Sequence, residues 1–485
     1  MKKATILMAL VLLLSVCGVG VLAADVFEAH DQVVLTEKTV YGDRSKADGL
    51  TVQINSHYRS RLQWSTSLQI DDEAECKTDY SFSAKQRRTT RPVEYDGLNM
   101  NNYVMESLNF RADEPQEGLW VEYKKLLDET QPGQEGEIDV RLKDHMSHYP
   151  IGINLDFPNA TLSTDTLTDR ERLDELEALH GSEVYAIQRL RDYFKIPILD
   201  DEYLSIHVRK REDGTQGGWG GGTSQYGDRY DMSDYSALSD TACYFTIETL
   251  TNDGKTIDTS EIPGGYGIYR LPYHMEYDKQ RKEDVGIIDA DGLEMVYPLT
   301  PGIDIAYLSL NTAQTCLYLH TVEDGTYFIT VIDLSSMEQM QKLELIHFDD
   351  EPYWTIVDQD DFIVIEFNNT LELGVISKAE SGALTLEYIC PMRPEGVDTF
   401  FLYNAAVDFD GERLVMAQQL DIEFSNEPDY RDRTSCGLQV MVYEKDGLAF
   451  MGEYTSSLDT GEDWTDHAFY VQGDHYEPVI TTWNC

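Results

Sequence analysis

The chain has 485 residues and carries 88 Asp and Glu against 38 Lys and Arg, a formal net charge of −50. Such a field repels nucleic acid and anionic lipid surfaces and attracts cations and basic partners, so nucleic acid is excluded as a partner. Hydrophobic residues at 41% and aromatics at 11% are too many for a disordered acidic chain, and packed structure is expected, either as several domains or as one large β domain.

Met1, Lys2 and Lys3 precede an uncharged run from Ala4 to Ala24. A basic start before such a run reads as an export signal, and the run is also long enough to cross a bilayer as a helix. Val21 and Ala23 give the small-residue spacing of a cleavage site before Ala24 or Asp25. Residues 1–24 are therefore expected to be a removed signal peptide or a retained membrane anchor. Cys17 follows Val16, which is bulkier than the residue that normally precedes a lipidated cysteine, so lipidation is not expected. With the two lysines inside, the rest of the chain is expected outside the membrane, anchored or secreted, touching lipid only through residues 4–24 if these are uncleaved.

Residues 25–162 read as an N-terminal β-rich region, with candidate strands at Leu50–Ile54 and Leu62–Ser67 among long polar stretches. Residues 163–192 read as helix. Thr168 with Glu171 makes a capping pair, and Leu173, Leu176, Leu179, Ile187 and Leu190 recur at helical spacing, with Gly181 as the break. Phe194–Leu199 then leads into the last region.

From residue 193 to 485, short β-branched and aromatic runs alternate with acidic turns. The clearest strands are Tyr327–Asp333, Phe362–Phe367 and Leu438–Tyr443. Turns are expected at Glu323, Asp324 and Gly325, at Asp360 and Asp361, at Asp410 and Gly411, and at Asp446 and Gly447. The text around Ile332–Ile346 resembles that around Ile376–Ile389, and again Val442–Tyr454, which follows the polar insertion Ser425–Ser435. A period of about 45 residues with four strands per unit suits a β-propeller blade, which cannot bury both sheet faces until neighbours stack on it. The expected fold is mainly β and β-propeller-like over 193–485, with a smaller N-terminal β/helical region. The alternative is a multi-sheet β-sandwich. Gly-His and Trp-Asp marks of a WD40 array were not found.

Three strings, Val33–Asp43, His148–Asp156 and Phe194–Leu199, resemble those of exported proteins of Gram-positive bacteria that have an N-terminal hydrophobic segment and an acidic β-rich ectodomain. The resemblance spans most of the chain. It implies an extracytoplasmic address and brings no activity and no site residue.

No residue is nominated as catalytic, cofactor-binding or metal-binding. Gly214–Gly227 is glycine-rich but lacks the Gly-Lys-Ser or Gly-Lys-Thr of a phosphate loop, so a flexible hairpin presenting Trp219 and Tyr226 is the better reading. His145 and His148 are three apart without the glutamate of a zincin and read as a surface pair; His57, His180 and His207 read the same way. Asp289, Asp291 and Gly292, and Asp358, Asp360 and Asp361, begin like calcium loops, but the twelfth position after Asp289 is Thr300, and ordinary acidic turns explain both. Cys76, Cys243, Cys316, Cys390, Cys436 and Cys485 are dispersed; their even number permits three disulfides, which a large core does not require. Among 88 carboxylates, spacing cannot identify a pair held across a sugar. Thirty tyrosines and six tryptophans suit strand packing or, on a propeller face, ligand stacking. The expected function is a non-catalytic binding or scaffold protein of the cell envelope, without a cofactor, whose partner is an envelope glycan, a peptide or a basic protein. The alternative is a hydrolase or lyase acting on polysaccharide or peptidoglycan through paired carboxylates, and capture of calcium by the acidic surface is a third reading.

Overall fold

The computed structural model describes residues 8, 12–21, 35–58, 62–70, 75–82, 97–102, 119–167, 180–223, 230, 232–252, 254–279, 281–348, 353–397, 402, 405–419, 437–456 and 479–483. The chain is mainly β, and every strand pairing among the described residues is antiparallel. It divides into two compact units: Met1–Val93, Asp350–Ala379 and Leu384–Cys485 form one, and Glu94–Asp349 with Glu380–Ala383 the other. Residues 12–21 are helical, and no helix among the described residues is long and apolar enough to cross a membrane.

Among the described residues the first unit holds three sheets. In spatial order they are Val479–Trp483, Leu50–Tyr58, Leu62–Ile70 and Glu75–Phe82; then Trp354–Asp358, Phe362–Phe367, Glu372–Lys378 and Leu384–Pro391; and then Leu35–Gly42, Gly447–Ser456, Gly437–Glu444, Leu414–Gln419 and Ala406–Phe409. The two ends of the chain interlock here. Leu35–Gly42 is the edge strand beside Gly447–Ser456, while Val479–Trp483 pairs with Leu50–Tyr58. Gly42, at φ +74°, is needed at this seam because a Cβ there would lie 1.9 Å from the Ala449 carbonyl oxygen. Arg413 clamps the same region: its guanidinium stacks 4.0 Å from the Trp483 ring and donates to the carbonyls of Lys46 (2.9 Å) and Asp48 (3.2 Å).

Among the described residues the second unit holds four sheets. Gly97–Asn102, Ile151–Phe157 and Ala160–Ser163 form one, and Glu135–Arg141, Tyr203–Lys210 and Gln216–Thr223 another with Tyr203–Lys210 central. Asp234–Leu238, Ala242–Ile247, Gly267–Asp278 and Glu283–Ile288 form the third, with Glu294–Pro298 beside Gly267–Asp278; the fourth is Asp304–Leu310, Cys316–Glu323, Thr326–Asp333 and Gln339–His347.

Period-two alternation explains how these sheets pack, because alternate side chains leave opposite faces. On Gly437–Glu444, Leu438, Val440 and Val442 join one apolar cluster, and Met441 and Tyr443 join another. On Leu414–Gln419, Val415 and Ala417 go to the first cluster, Leu414 and Met416 to the second. In the second unit, Ala242 and Tyr244 face one cluster while Cys243, Phe245 and Ile247 face the other. These sheets are buried on both faces, so their strands read as continuous apolar text. Tyr230, Tyr269, Tyr318, Tyr327, Tyr443 and Tyr454 are fully buried, and this accounts for part of the tyrosine content as core.

The clearest expected strands and all four turns lie where the text places them. At the first turn Asp324 and Gly325 both have positive φ, 48° and 75°, the conformation a two-residue hairpin with the strands' own twist requires. The repeated text occupies the third and fourth strands of successive sheets: Ile332 with Leu343, Ile376 with Leu386, and Val442 with Met451. The division expected at residue 193 does not separate the sheets. Glu135–Arg141 pairs with Tyr203–Lys210 across it, and the strands at 35–42 and 50–58 belong with the C-terminal ones. The expected helix is Thr164–Leu167 followed by Gly181–Tyr193, which begins at Gly181 and buries Val184, Ile187 and Leu190; Leu173, Leu176 and Leu179 lie outside the described residues. A second helix, Leu119–Glu129, stands where no helix was expected.

Candidate functional site

Gly97–Asn102, Asp234–Leu238 and Asp304–Leu310 are each the end strand of their own sheet and lie next to one another in the second unit, with Asp234–Leu238 in the middle. Along them runs a cleft of about 580 Å³, lined by residues that include Asn99, Asp234, Tyr235, Ser236, Tyr307 and Ser309. The pleat of the middle strand divides its side chains. Tyr235 and Ala237 pack with Ile305 and Leu308, while Leu238 packs in the cluster that holds Leu98.

Side chains take the place of a strand ladder between the middle strand and Gly97–Asn102. Asp234 Oδ1 accepts from the Met100 amide at 2.7 Å and from Asn99 Nδ2 at 3.2 Å, and Ser236 Oγ donates to the Leu98 carbonyl at 2.8 Å. The sheets are held together while the strands stay separate sheet ends, and this leaves the cleft open. Asn102 donates to the Tyr230 carbonyl at 2.7 Å and ties down the far end of the same strand.

Burial pushes the Asp234 carboxyl up to about 7, against the Met100 N–H, which favours the ionised form. Burial also raises the Cys243 thiol, and the nearby Asp234 charge adds to that. Glu248 forms a second centre: Oε1 accepts from the amides of Thr249 (2.9 Å) and Leu250 (3.1 Å), and burial followed by the charge of Asp304 pushes it to about 7. The Tyr235 phenol is raised by burial and then by Glu248, Asp304 and Asp234. Tyr307 stands edge-on to His320 at 5.5 Å, and His320 Nδ1 bonds the Tyr327 hydroxyl at 3.0 Å.

Chemically the cleft offers one carboxyl group that changes charge near neutrality, two phenol rings, two serines and an amide. Asp234 is the only carboxylate among the described residues that line it. Glycoside hydrolysis by the usual route needs two carboxyl groups flanking the bond. No group of three or more potential metal-ligating His, Cys, Asp or Glu occurs among the described residues.

The residues weighed from sequence lie elsewhere. His148 Nε2 meets Glu261 at 2.9 Å and its Nδ1 meets Ser147 Oγ, while His145 ends a short 3₁₀ turn, so the two share no ligand set. Asp289 accepts from the Gly292 amide as a turn cap, and Asp291 accepts from the Tyr185 hydroxyl at 2.7 Å. Asp358 is tied to Lys378. Gln216–Thr223 is the second strand of a hairpin with Tyr203–Lys210, its register shifted between Gln216 and Gly218, because glycine without a side chain still makes the ladder; Tyr226 lies outside the described residues. Cys243, Cys316 and Cys390 are buried free thiols, so three disulfides do not form; the side chain of Cys76, and Cys436 and Cys485, lie outside the described residues.

No family model and no curated protein matches this chain. Among solved structures it is similar to a protein from Lactobacillus plantarum at 8% identity, covering 84% of this chain and 96% of that one, with a TM-score of 0.28. A candidate 6-phosphogluconolactonase from Bacteroides fragilis NCTC 9343 matches at 8% identity over 84% of this chain and 95% of its own, TM-score 0.29. The β-propeller domain of Myceliophteria thermophila Cps50 (Swd1) matches at 10% identity over 52% and 82%, TM-score 0.22. At these scores the likenesses decide neither fold nor chemistry, and the site is argued from this chain's own residues.

Proposed function

We propose that the protein is a non-catalytic binding module of the cell envelope, an extracytoplasmic β-propeller-like stack of sheets that takes its ligand in the Asp234 cleft. The observation that carries this is the cleft's single carboxylate, set among hydroxyl and amide groups. The two-faced burial of the sheets favours a propeller over a two-layer sandwich, which leaves an outer face of each sheet to solvent. First strands begin at Asp304, Trp354 and Ala406 in three successive sheets, a spacing near that of blades. The interlocked chain ends tie the first and last strands of the first unit together. The basic start and uncharged run of residues 1–24 support the address, which cell fractionation tests directly.

The polysaccharide hydrolase reading needs a second carboxylate across the bond. Glu248 and Asp304 are not among the lining residues. Incubating the purified full chain with envelope polysaccharide and peptidoglycan should give binding without release of reducing ends. Release that disappears in Asp234→Asn would overturn the proposal in favour of catalysis.

A further inference from the structure

We infer that the ligand of this cleft is an uncharged oligosaccharide, one of whose hydroxyls donates to Asp234 Oδ2 while the chain's Ser309 donates to a sugar oxygen. This rests on the binding-module reading above and narrows it to a ligand class.

Two polar groups point to the class. Both bonds that Gly97–Asn102 makes to the Asp234 carboxylate fall on Oδ1, and the carboxylate also takes its own backbone amide; Oδ2 accepts from no other described residue and is the acceptor assigned to a ligand donor. Ser309 lines the same cleft, is only 9% exposed, and its Oγ has no hydrogen-bond partner. A buried hydroxyl left unbonded is unfavourable, and we assign its proton to a ligand oxygen reached by rotation about χ1. An acceptor and a donor on neighbouring strands match a sugar, whose hydroxyls do both. Ser236 spends its proton on the Leu98 carbonyl, so the ligand donor in the cleft is assigned to Ser309.

The charge pattern removes the other classes. No basic side chain is among the described lining residues, so a carboxylated or phosphorylated ligand would enter the field of a −50 chain uncompensated. A polycation would find one carboxylate here and many on the exterior. The Tyr235 and Tyr307 rings offer apolar bodies with polar tips, and the volume lies within the roughly 300–1,000 Å³ of small-ligand sites.

With Oδ1 taking two N–H groups, the proton of the neutral acid falls on Oδ2, which then donates instead of accepting, so affinity for a ligand donor there should rise through neutrality. Asp234 is faced by the Tyr235 phenol on its own strand and by the Cys243 thiol on Ala242–Ile247, both held protonated; Gly97–Asn102 brings only Asn99, and beyond Tyr235 lie Glu248 and Asp304. Of these, Glu248 also titrates near 7, and it serves as a control.

The test is calorimetry on the full chain with cellotetraose, tetra-N-acetylchitotetraose, tetragalacturonate, tetralysine and tetraglycine at pH 6 and pH 8. At least one neutral tetrasaccharide should bind, about tenfold more tightly at pH 8, following the ionised fraction of a group that titrates near 7. Asp234→Asn should weaken binding and flatten the pH dependence, Ser309→Ala should weaken it at both pH values, and Glu248→Gln should keep the dependence. Binding of tetralysine, tetragalacturonate or tetraglycine instead, lost in Asp234→Asn, would overturn the ligand class and leave the binding module standing. Saccharide binding that is insensitive to pH and to Asp234→Asn would overturn the anchoring, and no binding by any probe at millimolar concentration would overturn the inference outright. Reducing-end release would instead overturn the module reading itself.

Discussion

Replacing Asp234 by Asn tests the electrostatics of the cleft without any ligand. Burial raises this carboxyl to about 7 in the folded chain, whereas an unfolded Asp titrates near 3.9. The folded state therefore binds the proton more tightly, and stability falls as pH rises from about 4 to about 7, staying low above that. Three pKa units correspond to about 4 kcal/mol, and because the side chain is partly open to the cleft, solvent screening reduces this to roughly 1–3 kcal/mol. The amide oxygen of Asn can still accept from the Met100 N–H, so the bond at 2.7 Å survives while the charge is removed. In urea titrations at pH 4 and pH 8, Asp234→Asn should match the parent at pH 4 and exceed it by roughly 1–3 kcal/mol at pH 8. Glu248 is common to both proteins and cancels from the difference. Parallel stability curves at every pH would refute the claim that this carboxyl is held near neutrality by its surroundings.

Trp483, 9% exposed and stacked under Arg413, should cost about 3–5 kcal/mol when changed to Ala, seen as a lower urea midpoint; an unchanged midpoint would show that the C-terminal strand does not secure the first unit. Lys378 and Asp358 form an ion pair only 5% and 10% exposed, with Lys378 also donating to the Gln359 carbonyl at 2.6 Å. Lys378→Met alone should destabilise by about 3–5 kcal/mol because it strands a buried carboxylate, whereas Lys378→Met with Asp358→Leu should be much milder; equal losses would contradict this account.

The strands of the C-terminal half were legible because each carries its own signal. Phe362–Phe367 is apolar throughout and is bounded by Asp361, and Asp324 with Gly325 announces a hairpin by the only backbone it can adopt. Helix Leu119–Glu129 carries a weaker signal, Leu119, Tyr123, Leu126 and Leu127 at helical spacing amid polar text. The pairing of Leu35–Gly42 with Gly447–Ser456 could not be read, since its partners are some four hundred residues apart and neither edge names the other. Asp234 was equally hidden, because its partner Asn99 lies 135 residues away. The available signal was modest: Asp234 and Ser236 make a polar row on a strand whose neighbour, Ala242–Ile247, is apolar along its length.

What distinguishes Asp234 among so many carboxylates is what the other buried ones do. Glu183, 2% exposed, takes Ser182 Oγ at 2.7 Å, Arg281 Nη2 at 3.1 Å and His180 at 3.1 Å, and so fastens the start of a helix to the loop after Gly267–Asp278. Glu202 is held by the Tyr149 hydroxyl, and Asp408 takes the amides of Trp483 (2.7 Å) and Phe409 (2.9 Å). Glu366 accepts the Leu402 amide from a loop, and Glu248 the amides of Thr249 and Leu250 and, through Oε2, that of Ile305 (3.4 Å). Each of these joins chain segments, and none lines a described cavity with its carboxyl. Asp234 also joins two segments, but through one oxygen, and it does so in the wall of a cleft. A carboxylate needed only as a tie between strands could be replaced by a hydroxyl or an amide without the charge that burial penalises. Asp234 differs from those ties in its place in the cleft wall, and the binding and stability of Asp234→Asn separate the two roles: a structural tie predicts gain in stability alone, whereas a ligand site predicts that gain together with loss of binding.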